Sequence, residues 1–215
     1  MTRLFDNIDR QLGGQLQETL KVSDRMDVAV GYFNLRGWSA FDEIVRSKAA
    51  DGSAGPIVRV LIGMVMGGPQ QEALEHLQAE VSGEVIPEAD RTAVQERKAE
   101  LLVHLREQLM RGISTRSDRE SLQSLRDLLA SKAVEIKVFT RRPLHGKTYV
   151  CHREDLNNPI TGFVGSSNLT RPGLSSNLEL NVDVVDFQGA QELANWFEAR
   201  WTDKFSRPVT EEILD

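Results

Sequence analysis

The sequence is poor in the residues that several kinds of protein depend on. It contains a single cysteine, Cys151, which can neither close an internal disulfide nor join a second thiol in holding zinc. Disulfide scaffolds and zinc fingers are therefore excluded. No run approaches the roughly 18 apolar residues that a membrane span needs, and the opening MTRLFDNIDRQLGGQ lacks the apolar core of a signal peptide. A cytoplasmic chain with no membrane partner is expected. Cationic excess is missing as well: 26 Lys and Arg face 32 Asp and Glu, for a net charge of −6. That balance argues against a protein that coats nucleic acid nonspecifically, since such binding rests on many Lys and Arg contacts to phosphate.

What is present suits one buried core. At 215 residues and 40% hydrophobic, the chain reads as a single domain over 1–205, with 67–131 as a helical insertion and 206–215 as the start of a linker to a further domain. A helix is expected over 6–21, a buried strand over 26–33, an amphipathic helix over 38–49 carrying Trp38, Phe41, Ile44 and Val45, and a second buried strand over 56–64. This β-α-β opening implies a parallel pair. Within the insertion Val94, Leu101, Leu102, Leu105 and Leu109 share one helical face, as do Leu122, Leu125, Leu128 and Leu129, which reads as packed helices with solvated charged faces. Four strand-like runs follow, VEIKVFT, GKTYVCHR, ITGFVGSS and ELNVDVVD, and then a helix striped by Ala190, Leu193, Ala194, Phe197 and Trp201 with Asp186 at its cap. The fold class expected is α/β, with a mixed, largely parallel sheet flanked by helices on both faces.

Three polar pairs at spacing two lie in or beside those late strands: His145 with Lys147, Ser166 with Asn168, and Asn177 with Glu179. Residues two apart on a strand share a face, so each pair can project its groups together. Taken singly, any pair also reads as solvated edge residues. Together they suit a phosphodiester: an imidazole as nucleophile or base, an ammonium with amide or hydroxyl donors for the phosphoryl oxygens, and a carboxylate to orient the imidazole. That set requires no metal and no cofactor. Between Lys132 and Arg153 the cations Lys132, Lys137, Arg141, Arg142, Lys147 and Arg153 are opposed only by Glu135, which would steer an anionic substrate to this stretch.

HGKTYV followed by GFVGSSNLTRPGLSSNLELNV resembles the H-x-K motif and the downstream G-S-x-N and N-x-E segments of the phospholipase D superfamily. The resemblance implies that His145 is the catalytic nucleophile forming a phosphohistidine, and that Lys147 binds phosphate. It further implies that Ser166 and Asn168 bind phosphoryl oxygens beside Gly165, where backbone can approach closely, and that Glu179 accepts a hydrogen bond from His145, with Asn177 in the same shell. The family pattern places an aspartate where this chain has His152, and Asp155 is out of register; His152 reads first as a surface residue and second as a replacement hydrogen-bond partner. Only one H-x-K is present, and neither His76 nor His104 begins another. For single-motif members the resemblance implies a homodimer that joins two copies of His145.

The segment DVAVGYFNLRGW, combined with the late motifs, looks like the N-terminal phospholipase D-like domains of bacterial superfamily-two helicases and of related restriction-type endonucleases. This implies DNA as partner and a helicase later in the same chain. Three other readings stand beside it: a catalytically silent phosphate-binding and dimerisation module attached to a helicase, a metal-dependent nuclease using Glu135, Lys137 and Asp127, and a lipid hydrolase.

Overall fold

A computed structural model describes residues 2–52, 55–63, 103, 106–107, 110 and 115–209. In chain order the described elements are β1 (Leu4–Phe5), α1 (Leu12–Lys21), β2 (Arg25–Val30), α2 (Leu35–Trp38), α3 (Asp42–Ala50), β3 (Val58–Gly63), α4 (Arg116–Ala130), β4 (Val134–Phe139), β5 (Lys147–His152), β6 (Ile160–Gly165), α5 (Arg171–Ser175), β7 (Asn181–Val184), α6 (Phe187–Trp201) and β8 (Ser206–Val209). The strands form one eight-stranded sheet in the order β1-β7-β6-β5-β2-β3-β4-β8.

The expectation of a largely parallel sheet is corrected. Only β2 with β3 and β3 with β4 run parallel; the other five pairings are antiparallel. The connections explain this. Residues 140–146 before β5 and 153–159 before β6 fall short of the dozen or so that a parallel return needs. A mixed sheet with helices on both faces does hold. On one face α1, α3 and α4 pack Leu16, Val45 and Leu125 against Val28, Val60 and Ile136; on the other, α6 packs Phe197 and Trp201 against Ala29 and Leu61. With both faces covered, β2 and β3 are buried along nearly their whole length and apolar except at Arg25, Asp27 and Arg59.

Several boundaries differ from the sequence expectation for local reasons. The first helix begins at Leu12 because the Asp6 carboxylate accepts from the backbone N–H of Ile8, Asp9 and Arg10, and Asn7 turns with φ 66°; a short polar side chain outcompetes the helix there. The helix expected over 38–49 is two pieces, α2 and α3. Its first piece is capped by Asn34, whose side chain accepts from Gly37 N at 2.9 Å, and Gly37 packs so tightly on Leu169 that a Cβ there would collide with its carbonyl. Within the stretch read as a helical insertion, α4 lies between β3 and β4 in sequence and buries Leu125, Leu128 and Leu129. The apolar face over 94–109 lies outside the described residues, except at isolated positions. Residues 206–209 pair with β4 as the edge strand β8, so the sheet continues past 205, where a linker was expected; 210–215 lie outside the described residues.

Beneath α6 the sheet carries one buried ionic network. Asp27 and Arg59 face each other across β2 and β3, with Arg59 donating to both carboxylate oxygens at 2.7 and 2.8 Å. Arg59 also reaches Glu198 on α6 at 2.8 Å and lies 5.1 Å from the ring centres of Phe197 and Trp201. His152 closes the cluster, its Nε2 2.7 Å from Asp27 Oδ2. The surface reading of His152 is thereby corrected: it is a hydrogen-bond partner within this network.

Burial alone would raise the Asp27 carboxyl, but the bonds from Arg59 and His152 outweigh it and hold the group at about 2. A carboxyl depressed by folding stabilises the protein fully above its ordinary value of 3.8 and loses that contribution as pH falls toward 2. Urea unfolding followed between pH 5 and pH 2.5 is expected to show a loss of about 2 kcal/mol from this group. Asp27→Asn is expected to lose about 2 kcal/mol or more at neutral pH, because Arg59 keeps only its half-exposed partner Glu198 and loses its buried one, and to show a shallower acid dependence.

Candidate active site

The polar pairs singled out in the sequence lie just beyond strand ends rather than along strand faces. Lys147 opens β5 and sits opposite Gly165, the last residue of β6, and Gly165 sits opposite Asn181, the first residue of β7. On the same edge β2 ends at Val30 and β3 at Gly63. A Cβ at Gly63 would collide with Leu144, and one at Gly31 would lie 3.4 Å from Asn168 Oδ1 and 3.6 Å from the Leu144 carbonyl. The glycine-lined ends of β2 and β3 therefore let the 144–147 segment and Asn168 settle side by side. Such an edge, at the carboxyl ends of parallel strands, is where open α/β sheets bind ligands.

Lys147 is buried, at 5% exposure, while His145 is exposed. The lysine Nζ donates to the His145 carbonyl at 2.6 Å and lies 3.0 Å from His145 Nδ1. Desolvation holds its pKa below the ordinary lysine value, and the nearby Glu179 carboxylate partly restores it. A cation kept in a partly desolvated position, two residues from an exposed imidazole, is a ready partner for a phosphoryl oxygen.

Ser166 and Asn168 follow β6. The Ser166 hydroxyl donates to the Glu179 carboxylate and accepts from Leu180 N. Asn168 has its amide oriented by chemistry, because Oδ1 accepts from Tyr32 N at 2.9 Å; the two N–H donors of Nδ2 must then face the other way. Leu169 N donates to the Tyr32 carbonyl at 3.2 Å and Asn34 N to the Leu169 carbonyl at 3.1 Å, which fastens the end of β2 to the segment after β6.

Three expectations shift. Glu179 is bonded to Ser166 and is felt electrostatically at Lys147, and among the described residues it makes no hydrogen bond to His145. Gly165 does serve close approach, but to protein: a Cβ there would collide with the Leu180 carbonyl and Asn181 Oδ1. Asn177 precedes β7 in a loop with its side chain exposed; its backbone carbonyl accepts from Asn7 Nδ2 at 3.1 Å, and the structure does not bring it to the other site residues. Position 152 also stands apart, five residues along β5 from Lys147, or about 17 Å at strand rise.

Asn181 was missed in the sequence. Buried at 2%, its Oδ1 accepts from Ser167 N at 3.1 Å while Nδ2 donates to Ser167 Oγ at 2.9 Å and to the Phe5 carbonyl at 3.4 Å. Ser167 lies between Ser166 and Asn168, so Asn181 sets the position of both. The available signal was its spacing of two from Glu179, which puts a third polar residue into the N-x-E segment. Of the metal-dependent alternative, Lys137 donates to the Trp201 carbonyl at 2.9 Å and lies 4.3 Å from that ring, so its ammonium is committed to packing α6.

Comparison with known proteins bears on the family and the fold. The family described as cardiolipin synthase, PLD-like domain, matches residues 16–201. Among solved structures, the phospholipase D family member Nuc from Salmonella typhimurium is 11% identical, with TM-score 0.53 and 98% of each chain covered. NucT from Helicobacter pylori is 10% identical, with TM-score 0.52 and coverage of 97% of this chain and 99% of that one. Phosphatidylserine synthase from Haemophilus influenzae Rd KW20 is 10% identical, with TM-score 0.53 and coverage of 97% of this chain and 39% of that one. At these identities the likeness is one of fold. No curated protein matches the sequence.

The two asparagines are expected to separate under mutation. Asn181→Ala strips buried partners from Ser167 and should cost about 2 kcal/mol or more in denaturant unfolding. Asn168→Ala leaves only the solvent-reachable Tyr32 N–H without its partner and should cost less than about 1 kcal/mol.

Proposed function

The chain belongs to the phospholipase D-like (PLD-like) domain family matched over residues 16–201, and from that premise we propose that it is a metal-independent phosphodiesterase of the nuclease kind, cleaving DNA through a phosphohistidine at His145. The observation that carries this reading is the pairing of the exposed His145 imidazole with the buried Lys147 ammonium.

Lys147, the outward Nδ2 of Asn168 and the Ser166 hydroxyl hold the non-bridging oxygens of the phosphodiester, where their charge and dipoles stabilise the transition state. In the ligand-free arrangement the ammonium donates toward Nδ1, so a neutral ring carries its proton on Nε2. A bound phosphoryl group competes for the ammonium and for the Ser166 hydroxyl, which releases Nδ1 and the Glu179 carboxylate. The ring proton can then rest on Nδ1, oriented by Glu179, and Nε2 attacks phosphorus. The bond from phosphorus to the leaving oxygen breaks, and that oxygen takes a proton; water then attacks the phosphohistidine, loses a proton and frees the ring. The group that gives and later takes the proton is His145 of a second copy, which makes the working enzyme a homodimer.

The silent-module alternative drew on the missing motif aspartate. Position 152 lies about 17 Å along the strand from Lys147, inside the Asp27 network, and the histidine there is bonded; this argues against a direct catalytic loss. DNA as substrate is supported by the cationic run around His145.

Cleavage of DNA in EDTA is the test. Activity is expected to persist in chelator and to fall about a thousandfold or more in His145→Ala. Cleavage that needs added magnesium, or that survives His145→Ala, would contradict the mechanism. Head-group release from phospholipid vesicles in place of DNA cleavage would reassign the substrate.

A further inference from the structure

Arg142, Arg200 and Lys204 lie on two segments that meet, 140–146 and the end of α6 with the residues after it; Arg142 and Lys204 are exposed and Arg200 is half-buried. The two segments are joined, since Thr140 N donates to the Phe205 carbonyl at 3.0 Å and Arg141 donates to both oxygens of Asp203 at 2.7 and 2.9 Å. That double bond engages Asp203, and Glu198 is engaged by Arg59. Glu198 is thus committed to Arg59, and Asp203 is bonded to Arg141 while also lying in the field of Arg200 and Lys204. With one carboxylate set against Arg141, Arg142, Arg200 and Lys204, this stretch is cationic on a chain whose overall charge is −6.

Arg200 is held in place. Its guanidinium lies 4.0 Å from the Trp196 ring centre, and Nη1 donates to the Trp196 carbonyl at 2.9 Å. The same indole lies against Gly146, where a Cβ would come within 3.4 Å of its Cη2. Trp196 therefore connects Arg200 to the residue that follows His145. Among the described residues, none of the exposed large apolar side chains falls within 140–146 or 196–205. A surface that binds a bilayer needs an insertable apolar face beside its cations. This one offers charge alone, which suits a hydrated, continuous polyanion.

We propose that Arg142, Arg200 and Lys204 form the docking surface for the nucleic-acid backbone flanking the scissile phosphate, placed beside His145 by the packing of Trp196 on Gly146. The proposal deepens the nuclease reading and rests on it. In this arrangement the site holds one phosphate through Lys147, and the docking surface takes neighbouring phosphates of the same strand, so affinity for DNA depends on salt while turnover of a small diester does not.

The test compares the His145→Ala chain, which cannot hydrolyse its ligand, with the same chain carrying R142Q, R200Q and K204Q. Binding of fluorescent single- and double-stranded oligonucleotides is followed by anisotropy across a salt series. The triple change is expected to weaken binding about tenfold or more and to reduce the slope of log Kd against log salt by about 2 to 3, since each phosphate contact contributes about 0.7 to 0.9. With His145 intact, turnover of bis(p-nitrophenyl) phosphate is expected to stay within about twofold of the parent, which shows the site still folded. R142K with R200K keeps the charge and is expected to bind like the parent; tenfold weaker binding by that variant would overturn the proposal. Unchanged affinity and slope in the triple variant would also overturn it, as would a parent that binds phosphatidylserine vesicles and no DNA. A parent that binds DNA through the docking surface yet never turns over the small diester would count against the His145 chemistry instead, so the two failures are distinct.

Discussion

The site depends on a short backbone clamp between two parts of the chain that lie far apart in sequence. Tyr32 N donates to the Asn168 side chain and the Tyr32 carbonyl accepts from Leu169 N, so the end of β2 and the turn after β6 hold each other. Without that clamp the Asn168 amide could rotate and its donors would have no fixed direction; with it, the amide orientation follows from the fact that only an oxygen can accept from an N–H. Asn181 adds a second tie by gripping Ser167 from both sides. The donors proposed for phosphate are therefore positioned by backbone and buried amide bonds, the kind of preorganisation that electrostatic catalysis requires.

Two ionic clusters in the same sheet do different work. The Asp27–Arg59–His152 network lies beneath α6 with Asp27 bonded by both Arg59 and His152, and, through Arg59 and Glu198, its effect is to bind sheet to helix. Lys147 is the opposite case: buried, its pKa lowered by desolvation, and bonded to His145, the proposed nucleophile. A cation in that condition gains more from an arriving phosphate than a solvated one would. The contrast explains why the chain tolerates a histidine at position 152. The residue there belongs to the cluster that holds the fold, and its hydrogen bond to Asp27 meets that need.

Much of this was legible in the sequence, and the rest was hidden for identifiable reasons. The apolar runs marked β2 and β3, and the H-x-K, G-S-x-N and N-x-E spacings marked residues that the fold carries to one edge of the adjacent strands β5, β6 and β7. The parallel opening was read correctly over β2 and β3 and then extended too far; the short segments 140–146 and 153–159 carried the correction, since neither can hold a crossover. The partners of His152 and Asn181 could not be read at all. Asp27 lies 125 positions from His152, Ser167 lies 14 from Asn181, and only the folded register brings either pair together. The role of Tyr32 was invisible for another reason, because it acts through its backbone, where residue type carries no signal.

The central claim is that one exposed imidazole, served by a buried ammonium, takes the phosphoryl group onto itself. Rapid mixing of the protein with substrate, followed by an alkaline quench and mass spectrometry of the peptide containing His145, tests it directly. The account predicts a phosphoryl adduct on His145 that survives alkali, is lost in acid, and forms and decays at rates compatible with turnover. Steady turnover with no adduct at His145, accompanied by inversion of configuration at phosphorus, would show that water attacks directly and would contradict it.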